Sequence, residues 1–131
     1  MEKNLWPDFQ LGEPVVTPAT IMKEQAKVFD EQMKGKLQCF VGTSPSPMES
    51  SKVKTQMSIY VAELGGYMMR LFSVQYSLTN IFPCTTFNEV TSSTEENITN
   101  LEDFKSVLNR ELSKPEVVKL IQILYAQVMS M

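Results

Sequence analysis

The chain has no histidine. That absence removes Ser-His-Asp and Cys-His catalysis, zinc sites built on imidazole, and His-based acid–base chemistry. Cysteine is almost as scarce, with Cys39 and Cys84 the only two. They are too far apart for a CxxC pair and too few for a disulfide framework, and both fall in strand-like runs where buried thiols are common. None of the five glycines belongs to a Walker-type phosphate loop. Gly65-Gly66 joins two strand-like runs without leading into a helix, so no helix dipole stands behind its amides, and nucleotide hydrolysis is unsupported.

Long apolar runs are missing as well. No stretch approaches the roughly 18 residues needed to span a bilayer. The opening MEKNLWPDFQ is too polar for a secretory signal, so the reading is a cytoplasmic protein without membrane insertion. Without such a signal, the acceptor pattern Asn97-Ile98-Thr99 has no consequence. Basic residues are neither abundant nor clustered: 12 Lys and Arg stand against 15 Asp and Glu, for a net charge of -3. With no basic stripe along any predicted helix, nucleic acid is not the expected partner. Glu95-Glu96 and Glu102-Asp103 are adjacent carboxylates, but neighbours on a helix do not face each other, and acid near a helix start is ordinary cap chemistry. No catalytic residue, cofactor site or metal site is therefore assigned.

What the chain does have begins with composition. At 43% hydrophobic and 21% charged residues, its 131 residues suit one globular domain and not a disordered chain. Its centre, Gln56 to Asn88, holds two strand-like runs on either side of Gly65-Gly66, a dipeptide that tolerates the positive φ of a two-residue hairpin loop. Such a loop sets Val61 opposite Arg70, Ile59 opposite Phe72 and Met57 opposite Val74. One face then gathers Met57, Ile59, Val61, Met68, Phe72 and Val74, and the other Tyr60, Ala62, Leu64, Tyr67, Met69 and Leu71. Neither face is polar, so both are expected to be covered, by helices or by a partner. Glu63 falls diagonal to Arg70, close enough for a rim ion pair.

Around this hairpin, Thr17-Pro18 starts a helix whose apolar stripe is Met22, Ala26, Phe29 and Met33, widened by Ile21 and Val28 and stopped at Gly35. A strand over Leu37 to Val41 follows, then a Ser-Pro-Ser-Pro loop. A fourth strand runs from Ile81 to Asn88, where Pro83 calls for an edge position or a bulge. Residues Glu89 to Thr99 read as a polar surface crossing. Asn100 caps the next helix, and Ser113 with Glu116 has capping-box spacing ahead of the last one, which is apolar around most of its circumference and expected to be buried on more than one side. The fold class is α+β: a four-stranded antiparallel meander packed with an N-terminal helix and two C-terminal helices, in the order α-β-β-β-β-α-α. Residues 1–16 form an extended arm and 17–131 the single domain.

Function is less legible. The reading placed first is a small non-enzymatic interaction or regulatory module, acting as a homodimer through the second hairpin face, the last helix or the arm. The alternative is a binder of an apolar or amphipathic acidic small molecule held between sheet and helices, with Arg70 as its anion anchor. An enzyme working without histidine is the third. Candidate partner or ligand residues are Trp6, Tyr60, Tyr67, Met69 and Arg70, because aromatic and methionine side chains suit adaptable interfaces. Trp6 and Phe9 are an odd load for a tail. The plain reading straps them across the domain's own core, and the sharper one sends them into a neighbouring subunit.

Overall fold

The computed structural model describes residues 3–12 and 15–131. Helix α1 (Pro18–Met33) starts as its sequence dictates. The Thr17 hydroxyl accepts the Thr20 N–H at 3.3 Å while the Thr20 hydroxyl accepts the Thr17 N–H at 3.4 Å, and Pro18 occupies the first turn, where a missing N–H costs nothing. It stops where Lys34 (φ 52°) and Gly35 (φ 78°) turn left-handed. Helix α2 (Leu101–Leu112) is capped by Asn100, whose Oδ1 accepts the Asp103 N–H at 2.8 Å. Helix α3 (Pro115–Met129) follows directly. The capping box expected of Ser113 and Glu116 does not form: Lys114 holds the cap position without a side-chain bond to the helix's first amides, and Ser113 instead closes α2. Among the described residues, no helix is long and apolar enough to cross a membrane.

The sheet has five strands, one more than the sequence suggested: β1 (Gln38–Pro45), β2 (Lys52–Val61), β3 (Tyr67–Ser77), β4 (Cys84–Asn88) and β5 (Ser93–Ile98). Each pairs antiparallel with the next, in the spatial order β1-β2-β3-β4-β5. The added strand, β5, lies within the expected polar crossing. Asn88 Oδ1 accepts the N–H groups of Val90 (2.9 Å) and Thr91 (3.1 Å), and Ser92 takes φ 57°, so the chain reverses and pairs with β4 as an edge. Only Ile98 of this strand is buried, so its polar composition suits an edge and conceals a strand from pattern reading. It also makes β4 an internal strand. Pro83 needs no edge because it precedes the ladder, which begins at Cys84.

The central hairpin differs in register. Ala62–Leu64 coils into a single 3-10 turn, and Gly65 (φ 71°) and Gly66 (φ 77°) complete a loop of five residues, 62–66, in place of two. Val61 thus faces Tyr67, not Arg70, a shift of three residues, and Ser58 faces Arg70. An odd shift exchanges the faces of one strand. Arg70 and Phe72 then pair with the neighbouring residues Ser58 and Met57, which leaves Leu71 as an extra residue in β3. Beyond this bulge Met57 faces Phe72 where Val74 was expected, a shift of two that restores the original phase.

The two faces differ in cover. The inner face carries Met57, Ile59, Val61, Phe72 and Val74, all at most 2% exposed, and the helices close over it through Met22, Phe104, Leu108, Val117 and Leu124. The outer face is not apolar, and among the described residues no helix covers it. Phe40, Met68 and Arg70 are exposed there, while Lys54, Gln56, Tyr60 and Gln75 are half-buried. The expectation of two covered faces fails because the observed register takes Tyr67 and Met69 to the inner face and brings Arg70 outward beside Ser58, Ser73 and Gln75.

Candidate functional site

A groove opens on the helical side of the sheet. Its walls come from α1 on one side and from the α2–α3 pair on the other. Met22 and Ala26 seat α1 on the strands, and that leaves Ile21 and Val28 on the flank facing the gap. Opposite, Val117 anchors α3 while Val118 and Ile121 turn toward the same gap, as do Leu108 and Leu112 of α2. Cys39, Met57, Ile59 and Leu71 make the floor, and the volume is about 860 Å³. The floor is packed tight, with Ile59 at 0% exposure, whereas the upper walls stand open at 45% for Val28 and 42% for Val118. Polar groups sit at the rim, among them Glu24, Gln32, Lys105 and Gln122.

The floor offers no nucleophile. Burial, with the Asp30 carboxylate adding to it, pushes the Cys39 thiol up to about 12, and Asp30 Oδ1 accepts the Cys39 backbone N–H at 2.7 Å. Cys84 is likewise buried and its thiol is raised to about 11. Both are neutral thiols near pH 7 and behave as small apolar groups. Among the described residues, no group of three or more His, Cys, Asp or Glu side chains could hold a metal ion.

A buried polar cluster lies where the C-terminal end of α2 meets the β4–β5 turn. Glu111, 4% exposed, accepts from Lys114 Nζ (2.8 Å), Ser93 Oγ (3.0 Å), Arg110 Nε (3.2 Å) and Asn88 Nδ2 (3.3 Å). Burial pushes its carboxyl up, but the hydrogen bonds from Lys114, Ser93 and Arg110 outweigh this and leave it below the ordinary carboxylate range. Every oxygen is partnered, so the cluster is a latch between helix and turn and not a poised acid.

The five residues singled out from sequence do not converge. Tyr60 and Arg70 belong to the outer face; Tyr60 packs against Phe40 with ring centroids 5.4 Å apart, and its hydroxyl lies 3.4 Å from where a Cβ on Gly66 would stand. Tyr67, 49% exposed, and the half-buried Met69 pair with Val61 and Ile59 and belong to the inner face, as the odd register shift requires. Arg70 takes part in no ion pair among the described residues, and Glu63 pairs instead with Lys36 at 3.9 Å. Since Arg70 is on the opposite side of the sheet from the groove, it cannot anchor an acid held between sheet and helices.

The arm is not strapped across the core. Leu5, Trp6, Phe9 and Leu11 are 58–87% exposed, and none lines the groove. Trp6 and Phe9 pack on each other with centroids 5.8 Å apart. Helix α3 also departs from expectation. It is buried along Val117, Leu124 and Val128 only, with Val118, Ile123 and Met129 exposed at 42–55%, so none of the described residues covers its second side. The groove walls escaped notice in the sequence, although one signal was present: Ile21, Val28, Val118 and Ile121 broaden their stripes beyond what one sheet contact needs. The chain matches no family model, no curated protein and no solved structure.

Proposed function

We propose that this protein is a cytoplasmic, non-enzymatic binding module that acts as a homo-oligomer, and that the groove between α1 and α3 receives an apolar segment of polypeptide. The observation that carries this reading is the pairing of a closed, packed floor with open apolar walls: Val28 and Val118 project from opposite sides over a sheet already buried beneath them. Exposed apolar surface concentrated in a concavity marks an interaction site, and methionine, valine and isoleucine walls adapt to a segment better than they direct a reaction. The lack of histidine and the neutral thiols speak for a non-enzymatic role.

A second reading has support of its own. A volume of about 860 Å³ falls within the roughly 300–1,000 Å³ of small-molecule sites. The ligand would be apolar, with Lys105 at the rim as its nearest cation in place of Arg70.

Native mass spectrometry of the freshly purified chain separates the two, because it reports stoichiometry and bound small molecules together. A dimer without added mass supports the binding module, and a monomer with a reproducible adduct supports the ligand binder. In either case Val28→Glu with Val118→Glu is expected to abolish the species while leaving the far-UV circular dichroism intact. An unchanged spectrum of masses in that variant would overturn the groove as the site.

A further inference from the structure

The same molecule carries an unfilled apolar groove and an uncovered apolar arm. We propose that the arm of one copy, Leu5 to Leu11, occupies the groove of a second copy, giving a dimer by reciprocal exchange. This rests on the groove being a binding surface and names its occupant.

Three observations support it. First, the arm's four large apolar side chains touch no part of their own core, and local bonds already shape the segment: Asn4 Oδ1 accepts the Trp6 N–H at 3.1 Å and Asp8 Oδ1 accepts the Gln10 N–H at 3.0 Å. Trp6 and Phe9 are thereby held side by side, which lowers the ordering cost of docking.

Second, the areas suffice. Aromatic side chains bury about 150–250 Å² each, so the two rings and two leucines remove on the order of 600 Å² per arm. Both arms together bury on the order of 1,200 Å² before the groove walls are counted, the lower edge of a specific interface.

Third, the chain enters α1 extended: Thr17, which precedes Pro18, sits at φ -113°, ψ 166°, as residues before proline are pushed to do. Reciprocal exchange also closes with two-fold symmetry, so it stops at a dimer.

Trp6 is the only tryptophan, so intrinsic fluorescence reports on the arm alone. The experiment is a dilution series of the full chain, followed by sedimentation velocity and tryptophan emission. The expected result is a monomer–dimer equilibrium in which emission shifts to the blue in step with the dimer fraction. Trp6→Ala is expected to weaken association at least about thirtyfold. Val118→Glu should abolish association and leave Trp6 emission at the solvent-exposed position. Mixing Trp6→Ala chains with Val118→Glu chains should restore a dimer with one intact contact.

Several results would overturn the proposal. One is a monomer at every concentration, whether its Trp6 emission is blue-shifted, meaning that the arm lies in its own groove, or exposed. Another is a dimer that survives Trp6→Ala unchanged. The groove reading fails separately, if Val118→Glu leaves the binding of an apolar dye, anilinonaphthalene sulfonate, to the Trp6→Ala chain unaltered.

Discussion

The inner and outer faces of the sheet are made by the same five strands, yet they answer to different rules. On the inner face, paired residues such as Met57 and Phe72 are buried to 2% or less, and helices supply the cover. On the outer face, Ser58 opposes Arg70 and Lys54 opposes Gln75, with Phe40 and Tyr60 as an aromatic island among polar neighbours. One face is where stability is concentrated. The other is wet enough to need no cover and apolar enough to hold one ring pair. The comparison also locates the groove: it is an interruption in the cover of the inner face, so its walls are apolar for the same reason that the core is.

Substitutions along the two faces put this contrast to the test. Phe72→Ala, in the middle of the inner face, is expected to cost about 3–5 kcal/mol in urea unfolding, through lost transfer energy and the cavity left behind. A cost near 1 kcal/mol would mean that the inner face is not the core. Glu111→Ala, at the inner-face end by the β4–β5 turn, should cost about 2–3 kcal/mol by leaving Asn88 and Lys114 without their acceptor. Because the Glu111 carboxyl titrates below its ordinary range, its contribution is fully present above the ordinary carboxylate pKa and fades as pH falls through the lowered one. The variant's urea midpoint should accordingly fall less than that of the native chain between pH 7 and acid pH.

The outer face should be far more tolerant. Phe40→Ala is expected to cost about 1 kcal/mol, the scale of one half-exposed aromatic contact, and the same change in a Tyr60→Ala background should cost less. Were it to match Phe72→Ala, the two faces would not differ in kind. Arg70→Ala, exposed and outside any described ion pair, should change the midpoint by no more than about 0.5 kcal/mol.

What could be read from sequence divides along a line between local and distant chemistry. Thr17-Pro18, Gly35, Asn100 and Pro115 announced the helix ends correctly because a cap is settled within one turn. Gly65 and Gly66 did adopt positive φ, but whether Ala62 to Leu64 extends the strand or coils is decided by packing, and three residues of register hung on that choice. Tyr67 and Met69 were assigned to the wrong face for this reason, while Phe72 and Val74, past the bulge at Leu71, were assigned to the right one. Strand β5 was hidden because an edge needs hydrogen bonds more than apolar side chains, and Ser93 to Asn97 offers only polar ones. The groove was signalled only by the broadened stripes at Ile21, Val28, Val118 and Ile121, since its walls come from α1 at one end of the sequence and the α2–α3 pair at the other. Trp6 was noticed for its oddity, but no local pattern says where a tryptophan in an arm will go.

The strand order has a kinetic consequence. Every strand lies beside its sequence neighbours, and the connections at residues 46–51, 62–66, 78–83 and 89–92 are each six residues or fewer. Closing such short loops costs little chain entropy, so the sheet can grow outward from the β2–β3 hairpin one strand at a time, without waiting for a distant segment to arrive. The encounters that must come last are those of α1, from one end of the chain, with α2 and α3 from the other. The groove lies along that late seam, between the first helix and the last two.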